Sequence, residues 1–260
     1  MVSFRYETEN MLPKLSIIIC CIFVASNVSS QHQWLLGAHG GLDVDNHTML
    51  EPNELIGQTP ITSYSGGVII SYEIAKNFSF ESGISHKTYN KGYGVFTGER
   101  FGNFQSKSRS IGVIQIPIVF RSKIFNKAEK WAFTTKVGYR WCIPINTTDV
   151  NRNQPQVSVL KNRNETLLLF ESYNYGFHSS FGLLETGIGV EWKLFHNILL
   201  AAECSYFAGF KSIGYFDLAY QINSESLRTA KLVSNGSYLA WHLSTRIPLK
   251  PFKKNEKPNS

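Results

Sequence analysis

The chain has little cysteine, and none of it sits where a metal or a disulfide framework would need it. Its 260 residues include four cysteines. Cys20 and Cys21 fall in an N-terminal apolar run, which leaves Cys142 and Cys204. The residue alternation described below puts these two on opposite faces of non-neighbouring strands, so their Cβ atoms cannot approach as a disulfide requires. No ligand spacing involves either one, and no metal or other cofactor is expected. Beyond the N-terminus the chain also lacks any run of the roughly 20 apolar residues that a membrane helix needs. Residence in a membrane would have to come from strands closed into a barrel, the other architecture that satisfies its backbone polar groups in lipid.

Catalytic signatures are missing as well. There is no Gly-x-Ser-x-Gly elbow, no His-Glu-x-x-His pair and no phosphate loop. Gly37-Ala-His-Gly-Gly41 is glycine-rich but lies within a strand pattern rather than ahead of a helix. His178-Ser179-Ser180 is the one place where a base adjoins hydroxyls, and adjacency in sequence does not make a catalytic pair. No catalytic residue is assigned. Charge is modest: 17% of residues are charged, with Lys and Arg outnumbering Asp and Glu 26 to 19 for a net +7. The basic residues are scattered through strands and loops rather than massed on one face, which argues against a nucleic-acid partner.

What is present begins with an export signal. Within residues 11–30, Lys14 precedes an apolar run from Leu15 to Ala25, and the small polar residues Ser26, Ser29 and Ser30 follow. That three-part order is the pattern of a cleavable signal peptide, with Met11 as the true start and cleavage before Gln31. The domain reading is a signal peptide over 1–30, a barrel over 31–249 and a basic tail over 250–260.

Eight stretches alternate apolar and polar residues: 33–43, 65–75, 78–88, 110–122, 131–143, 182–193, 197–208 and 237–249. The gaps between them also alternate. Those at 76–77, about 123–130 and 194–196 are turns, and those near 44–64, 89–109, 144–181 and 209–236 are long. This parity predicts an all-β, eight-stranded antiparallel up-and-down transmembrane β-barrel with four long outer loops and three short periplasmic turns.

The strands are two-faced. Over 131–143, Trp131, Phe133, Thr135, Val137, Tyr139, Trp141 and Ile143 suit lipid, with aromatics toward the ends where headgroups begin. Ala132, Thr134, Lys136, Gly138, Arg140 and Cys142 suit a polar interior. Collected over all strands, the inward charges are Glu73, Glu81, Glu185, Glu191 and Glu203 against Lys87, Arg121, Lys136, Arg140 and Arg246. Eight strands enclose a lumen that side chains just fill, so five acids facing five bases predict an ion-paired, largely closed interior. His39 and His242 are expected to be hydrogen-bonded members of that network. Inward glycines Gly37, Gly83, Gly138, Gly187 and Gly189 leave room for long charged side chains. Pro117, inside an apolar strand, is expected to sit at a bulge. Phe170, Tyr173, Tyr175 and Phe177 would order the long 144–181 loop by packing, or form a stacking surface.

Phe78-Ser-Phe-Glu-Ser-Gly-Ile-Ser-His-Lys87, Ile114-Gln-Ile-Pro-Ile-Val-Phe120, Leu184-Glu-Thr-Gly-Ile-Gly-Val-Glu191 and Leu200-Ala-Ala-Glu-Cys-Ser-Tyr206 resemble, in that order, the outer membrane protein beta-barrel (porin-like) domain family of Bacteroidota. The resemblance spans about 33–249. It implies a Gram-negative outer membrane, lipids and the barrel assembly machinery as partners, and no particular activity. Such barrels usually finish on an aromatic residue, whereas here Phe252 is followed by a basic tail. The favoured reading is a monomeric, non-enzymatic barrel that displays surface loops, possible sites for an extracellular ligand, in envelope structure, adhesion or passive transport. Two alternatives remain: a membrane-embedded envelope-lipid enzyme and a soluble lipocalin-like barrel.

Overall fold

The computed structural model describes residues 33–249 except 47, 51–54, 91, 98–102, 108–110, 126–129, 146–155, 163–164, 175–179 and 195–197. The expected signal peptide and basic tail lie outside the described residues. In chain order the strands are β1 (Gln33–Asp45), β2 (Thr48–Met49), β3 (Ile56–Gln58), β4 (Ile61–Ala75), β5 (Phe78–Tyr89), β6 (Gly92–Phe96), β7 (Asn103–Lys107), β8 (Ile111–Phe125), β9 (Trp131–Pro144), β10 (Gln156–Asn162), β11 (Glu165–Asn174), β12 (Phe181–Lys193), β13 (Leu199–Gly209), β14 (Gly214–Ile222), β15 (Arg228–Ser234) and β16 (Tyr238–Pro248).

Eight of them close into an antiparallel barrel in the order β1-β16-β13-β12-β9-β8-β5-β4. Closure runs through β1 and β16, paired from Leu35 opposite Pro248 to Asp45 opposite Tyr238. These strands are 11 to 15 residues long, enough for a tilted strand to cross a bilayer's apolar core. Burial alternates residue by residue. In β9, Trp131, Phe133, Val137, Tyr139 and Trp141 are exposed, while Ala132, Thr134, Lys136, Arg140 and Cys142 are buried. The outer wall is therefore apolar and the inside charged, the reverse of a soluble barrel. Aromatic residues gather at both ends of the outer wall: Trp34, Phe78, Trp131 and Trp192 at the turn rim, Tyr64, Trp141, Tyr206 and Trp241 toward the loop rim.

Barrel strands run further than the alternation indicated. β1 reaches Asp45, β4 starts at Ile61 and β8 continues to Phe125, and the apolar outward face continues with them through Val44, Tyr64 and Ile124.

Pro117 departs from expectation. The register between β5 and β8 stays constant on either side of it, from Ser82 opposite Ile118 to Ser85 opposite Gln115, so no residue is inserted. Instead the ladder is interrupted at Gly83 and Ile84, because proline has no N–H to donate. The hydroxyl of Ser82 donates to the Pro117 carbonyl at 2.9 Å. Gly83, at φ 155°, takes a conformation that side chains disfavour. The bulge lies elsewhere, between Glu73 and Ala75 ahead of the β4–β5 turn.

The long connections hold the other eight strands. They form a five-stranded sheet, β10-β11-β14-β15-β2, and a three-stranded sheet, β3-β6-β7. The sheets pack through Ile56, Tyr93 and Val95 on one side and Leu167, Leu169, Leu218, Tyr220, Ile222, Ala230 and Leu232 on the other. The hydroxyl of Tyr93 donates to the carboxylate of Glu171 across them. All four connections beyond the loop rim thus contribute to one small β-sandwich. Asn223, at φ 51°, turns β14 into β15 and ties that turn to β11, its N–H donating to the Thr166 carbonyl and its side chain accepting from the Thr166 N–H, both at 2.8 Å. Asparagine tolerates the left-handed region there.

This second core is separate from the barrel, so the two can be damaged independently. Leu169→Ala empties a buried site and costs about 2–5 kcal/mol within the sandwich. The variant should be cut faster by chymotrypsin in β10–β15 while its barrel keeps the heat-modifiable gel migration of the parent. Equal loss of both signatures would show a single cooperative unit.

Candidate functional site

The chemistry-bearing side chains converge in the lumen, because inward positions on all eight strands face one axis. Starting at the turn rim, the ammonium of Lys123 lies 2.9 Å from Glu73 Oε1 and 2.9 Å from Glu191 Oε1. Arg246 reaches Glu191 at 3.2 Å, and Arg121 and Arg246 both contact Glu81 Oε1 at 3.1 Å. Glu203 is shared: one oxygen accepts from Arg121 and lies 3.5 Å from Arg246, and the other accepts from Lys136 at 3.0 Å. Lys136 lies 2.7 Å from Glu185, whose second oxygen accepts from Arg140 Nε at 2.7 Å. The same guanidinium donates onward to Gln115 at 3.2 Å and Ser85 at 3.3 Å. Acid and base alternate along the axis without a break.

The glycines opposite give this column its space. A Cβ at Gly187 would lie 2.8 Å from Lys136 Cε, and one at Gly189 would lie 3.0 Å from Glu203 Cγ. Either would press on an ion-paired side chain.

A second cluster sits higher, toward the loop rim. Lys87 is fully buried between Asp43 at 2.9 Å and Asp45 at 2.8 Å, with its ammonium 4.0 Å from the ring centre of Tyr238 and 4.6 Å from that of Tyr89. Above it Tyr89, Ile111, Val113, Cys142, Phe181, Leu183, Phe207, Ile213, Tyr238 and Ala240 pack into an apolar plug. Tyr89 donates to the carbonyl of Gly236 in the connection beyond the rim.

The ten charges expected in the lumen all face it. Glu81, Lys87, Arg121, Lys136, Arg140, Glu185, Glu191, Glu203 and Arg246 are buried, and Glu73, at the turn mouth, is 22% exposed. Three more belong with them: Asp43, Asp45 and Lys123. Asp43 continues the inward series Gly37, His39, Gly41 and was legible from alternation; Asp45 and Lys123 lie past the expected strand ends. The histidines divide. His242 lies 2.8 Å from Ser65 Oγ and 3.2 Å from Asp43 Oδ1. His39 instead lies against His242, with ring centres 5.3 Å apart and the planes tilted by 39°, and its Nε2 has no hydrogen-bond partner among the described residues. Cys142 and Cys204 are both free, Cys142 buried inside and Cys204 partly exposed. Phe170 lies in β11 beside Val157 of β10. Tyr173 is in β11, though its side chain, Tyr175, Phe177 and His178-Ser179 lie outside the described residues.

Ser65, His242 and Asp43 bring a hydroxyl, an imidazole and a carboxylate together, which invites comparison with a nucleophilic triad. The geometry does not support it. Both the hydroxyl and the carboxylate approach the same nitrogen, Nε2, whereas a triad needs the base to hold its orienting acid through one ring nitrogen and receive the nucleophile's proton on the other. Ser65 also donates directly to Asp43 at 3.1 Å. The group sits inside the lumen, below the plug.

No family model and no curated protein matches the chain. Among solved structures it is similar to the outer membrane protein OprG from Pseudomonas aeruginosa, at 10% identity over 85% of this chain and 98% of that one with TM-score 0.45. It is also similar to Neisserial surface protein A, at 9% identity over 81% and 95% with TM-score 0.37. A third is the outer membrane protein AlkL in lipid bilayers, at 11% identity over 85% and 92% with TM-score 0.40. Likeness this distant carries no functional argument.

Glu203 bridges Arg121, Arg246 and Lys136, so Glu203→Ala leaves three buried cations short of one partner. Breaking a buried pair in this way costs about 3–5 kcal/mol, to be read as a lower urea midpoint for barrel unfolding in detergent micelles. Lys231→Ala removes an exposed pair with Asp217 at 3.6 Å and should change stability by no more than about 1 kcal/mol.

Proposed function

We propose that this chain is a monomeric outer-membrane barrel of a Gram-negative bacterium, exported by a cleavable signal and inserted by the barrel assembly machinery. Its barrel is a sealed anchor, and its working part is the rigid β-sandwich held beyond the loop rim. The observation that carries this reading is the inverted polarity: acids and bases neutralise one another along the axis while Trp, Leu, Ile and Val cover the outside. Lipid is the environment in which that arrangement is favourable. A lipocalin-like barrel needs the opposite distribution.

Within the envelope roles weighed from sequence, the column and plug speak against passive transport through the lumen. Paired Arg and Glu side chains fill the axis, and an apolar cluster closes its outer end. An envelope-lipid enzyme would need convergent catalytic groups beyond the rim, and Ser65, His242 and Asp43 lie inside. A surface platform fits better. The sandwich presents a fixed shape to an extracellular ligand, as adhesion or a structural contact in the envelope requires, and a preorganised surface binds without the ordering cost of a flexible loop. Membership of the Bacteroidota barrel family is part of this proposal, supported by the motifs of β5, β8, β12 and β13.

Refolded into a planar bilayer, the protein should show heat-modifiable migration and no single-channel steps. Steady open conductance would overturn the sealed lumen. Partition into buffer without detergent would overturn residence in the membrane.

A further inference from the structure

Beyond its general apolar belt, the outer wall carries a groove with a definite shape. It lies over the meeting of β4, β5 and β8, has a cavity volume of about 600 Å³, and is lined by Gly66, Val68, Ile70, Ile84, Ile114 and His86. Val68 and Ile84 are more than half exposed and form its banks. Its floor is backbone where Gly66 has no side chain to fill the dip, and it overlies the interrupted ladder opposite Pro117. Along β5 it runs from Ile84, near the middle of the wall, toward His86, three residues short of the loop rim at Tyr89. Nearly everything lining it is apolar. Ser85 also lines it but is buried, facing inward, and the exposed polar side chain is His86, at the end where lipid headgroups of the outer leaflet begin.

We infer that this groove is a binding site for one acyl chain of an outer-leaflet lipid, with the His86 imidazole hydrogen-bonding the lipid's phosphate or ester oxygens. The inference rests on the membrane reading above, and the occupant follows from continuity with that lipid-facing surface. An apolar concavity inside a bilayer is filled by hydrocarbon, and each methylene that packs into it gains dispersion contacts that a flat wall does not offer. A second groove on the far wall supplies a comparison. It holds about 400 Å³ among Ile188, Val190, Trp192, Ala202, Trp241 and Leu243. Its lining also includes Glu203 and His242, but both side chains are buried in the lumen, so it can take hydrocarbon without fixing a headgroup.

The protein would be refolded into phosphatidylcholine vesicles doped with phosphatidylglycerol, extracted into mild detergent, washed and examined by native mass spectrometry. The parent should retain a single phospholipid. Val68→Trp, which crowds the groove from its bank, and His86→Ala, which removes the polar contact, should each reduce the retained fraction about tenfold, equivalent to about 1.4 kcal/mol. Ala202→Leu, in the comparison groove, should leave retention unchanged. All three variants change outward-facing residues, and heat-modifiable migration verifies that each is folded. Retention that is absent in the parent, or lost equally in Ala202→Leu, would overturn the site. Protein that never enters the vesicles would instead overturn the membrane reading.

Discussion

Charge in a narrow, low-dielectric cylinder is the constraint on which the rest of this structure depends. An isolated guanidinium or carboxylate taken from water costs several kcal/mol even after relaxation, and the lumen holds more than ten such groups. They are tolerable because each is paired, and Glu81, Glu191 and Glu203 are each shared between cations from different strands: Glu203 of β13 joins Arg121 of β8, Lys136 of β9 and Arg246 of β16. Sharing of that kind fixes register. Slipping one strand by a single residue would turn its charges toward lipid and its tryptophans inward, so the column and the barrel closure specify each other.

The same constraint explains why the lumen is not uniform. Toward the turn rim it is a ladder of ion pairs reaching the partly exposed mouth at Glu73. Toward the loop rim polarity is withdrawn in steps. Lys87 lies against the faces of Tyr89 and Tyr238, and Arg140 stands 4.6 Å from the ring centre of Phe207. The ring quadrupole stabilises a cation while its edge packs as hydrocarbon, so these aromatics let a charged column end against an apolar plug without an unpaired cation at the junction. Tyr238 stacks on Phe207 at 4.2 Å and also accepts a hydrogen bond from Gln115, joining the two regimes.

Most of the barrel was legible in the sequence because its two environments differ so sharply. Wherever lipid faces one side and ion pairs the other, as in β9 and β12, every second residue reports its direction, and turn lengths report which rim it approaches. The expected ends fell short at the rims. Asp45 and Lys123 lie just past them although Val44 and Ile124 carry the apolar outward face that far, while Asp43 is the last residue of an expected strand. Pro117 suggests a bulge because proline excludes a ladder bond, but losing the bond does not require an added residue where Ser82 meets the Pro117 carbonyl. The sandwich was missed for a different reason. Its strands are short, as few as two residues in β2, and they come from four separate connections, so no single window contains both halves of its core. Tyr93 and Glu171 are 78 positions apart, and nothing local to either announces the other.

In the function proposed above, sealing and display are linked by the way the connections leave the rim. Ile213 and Gly236 belong to the last connection, yet one packs in the plug and the other accepts the Tyr89 hydroxyl. The Asn46 N–H donates to the Ser237 carbonyl at 3.0 Å, and the Asn235 side chain donates to the Gly209 carbonyl at 2.9 Å. The first and last connections are thus fastened to each other, and the last also to the end of β13, at the rim of the barrel. A pore with mobile loops would gain nothing from these bonds. A platform does, since each one removes freedom between the membrane-held wall and the sheets above it. On the proposed reading the plug therefore serves two ends: it closes the lumen, and it is the footing from which the sandwich rises.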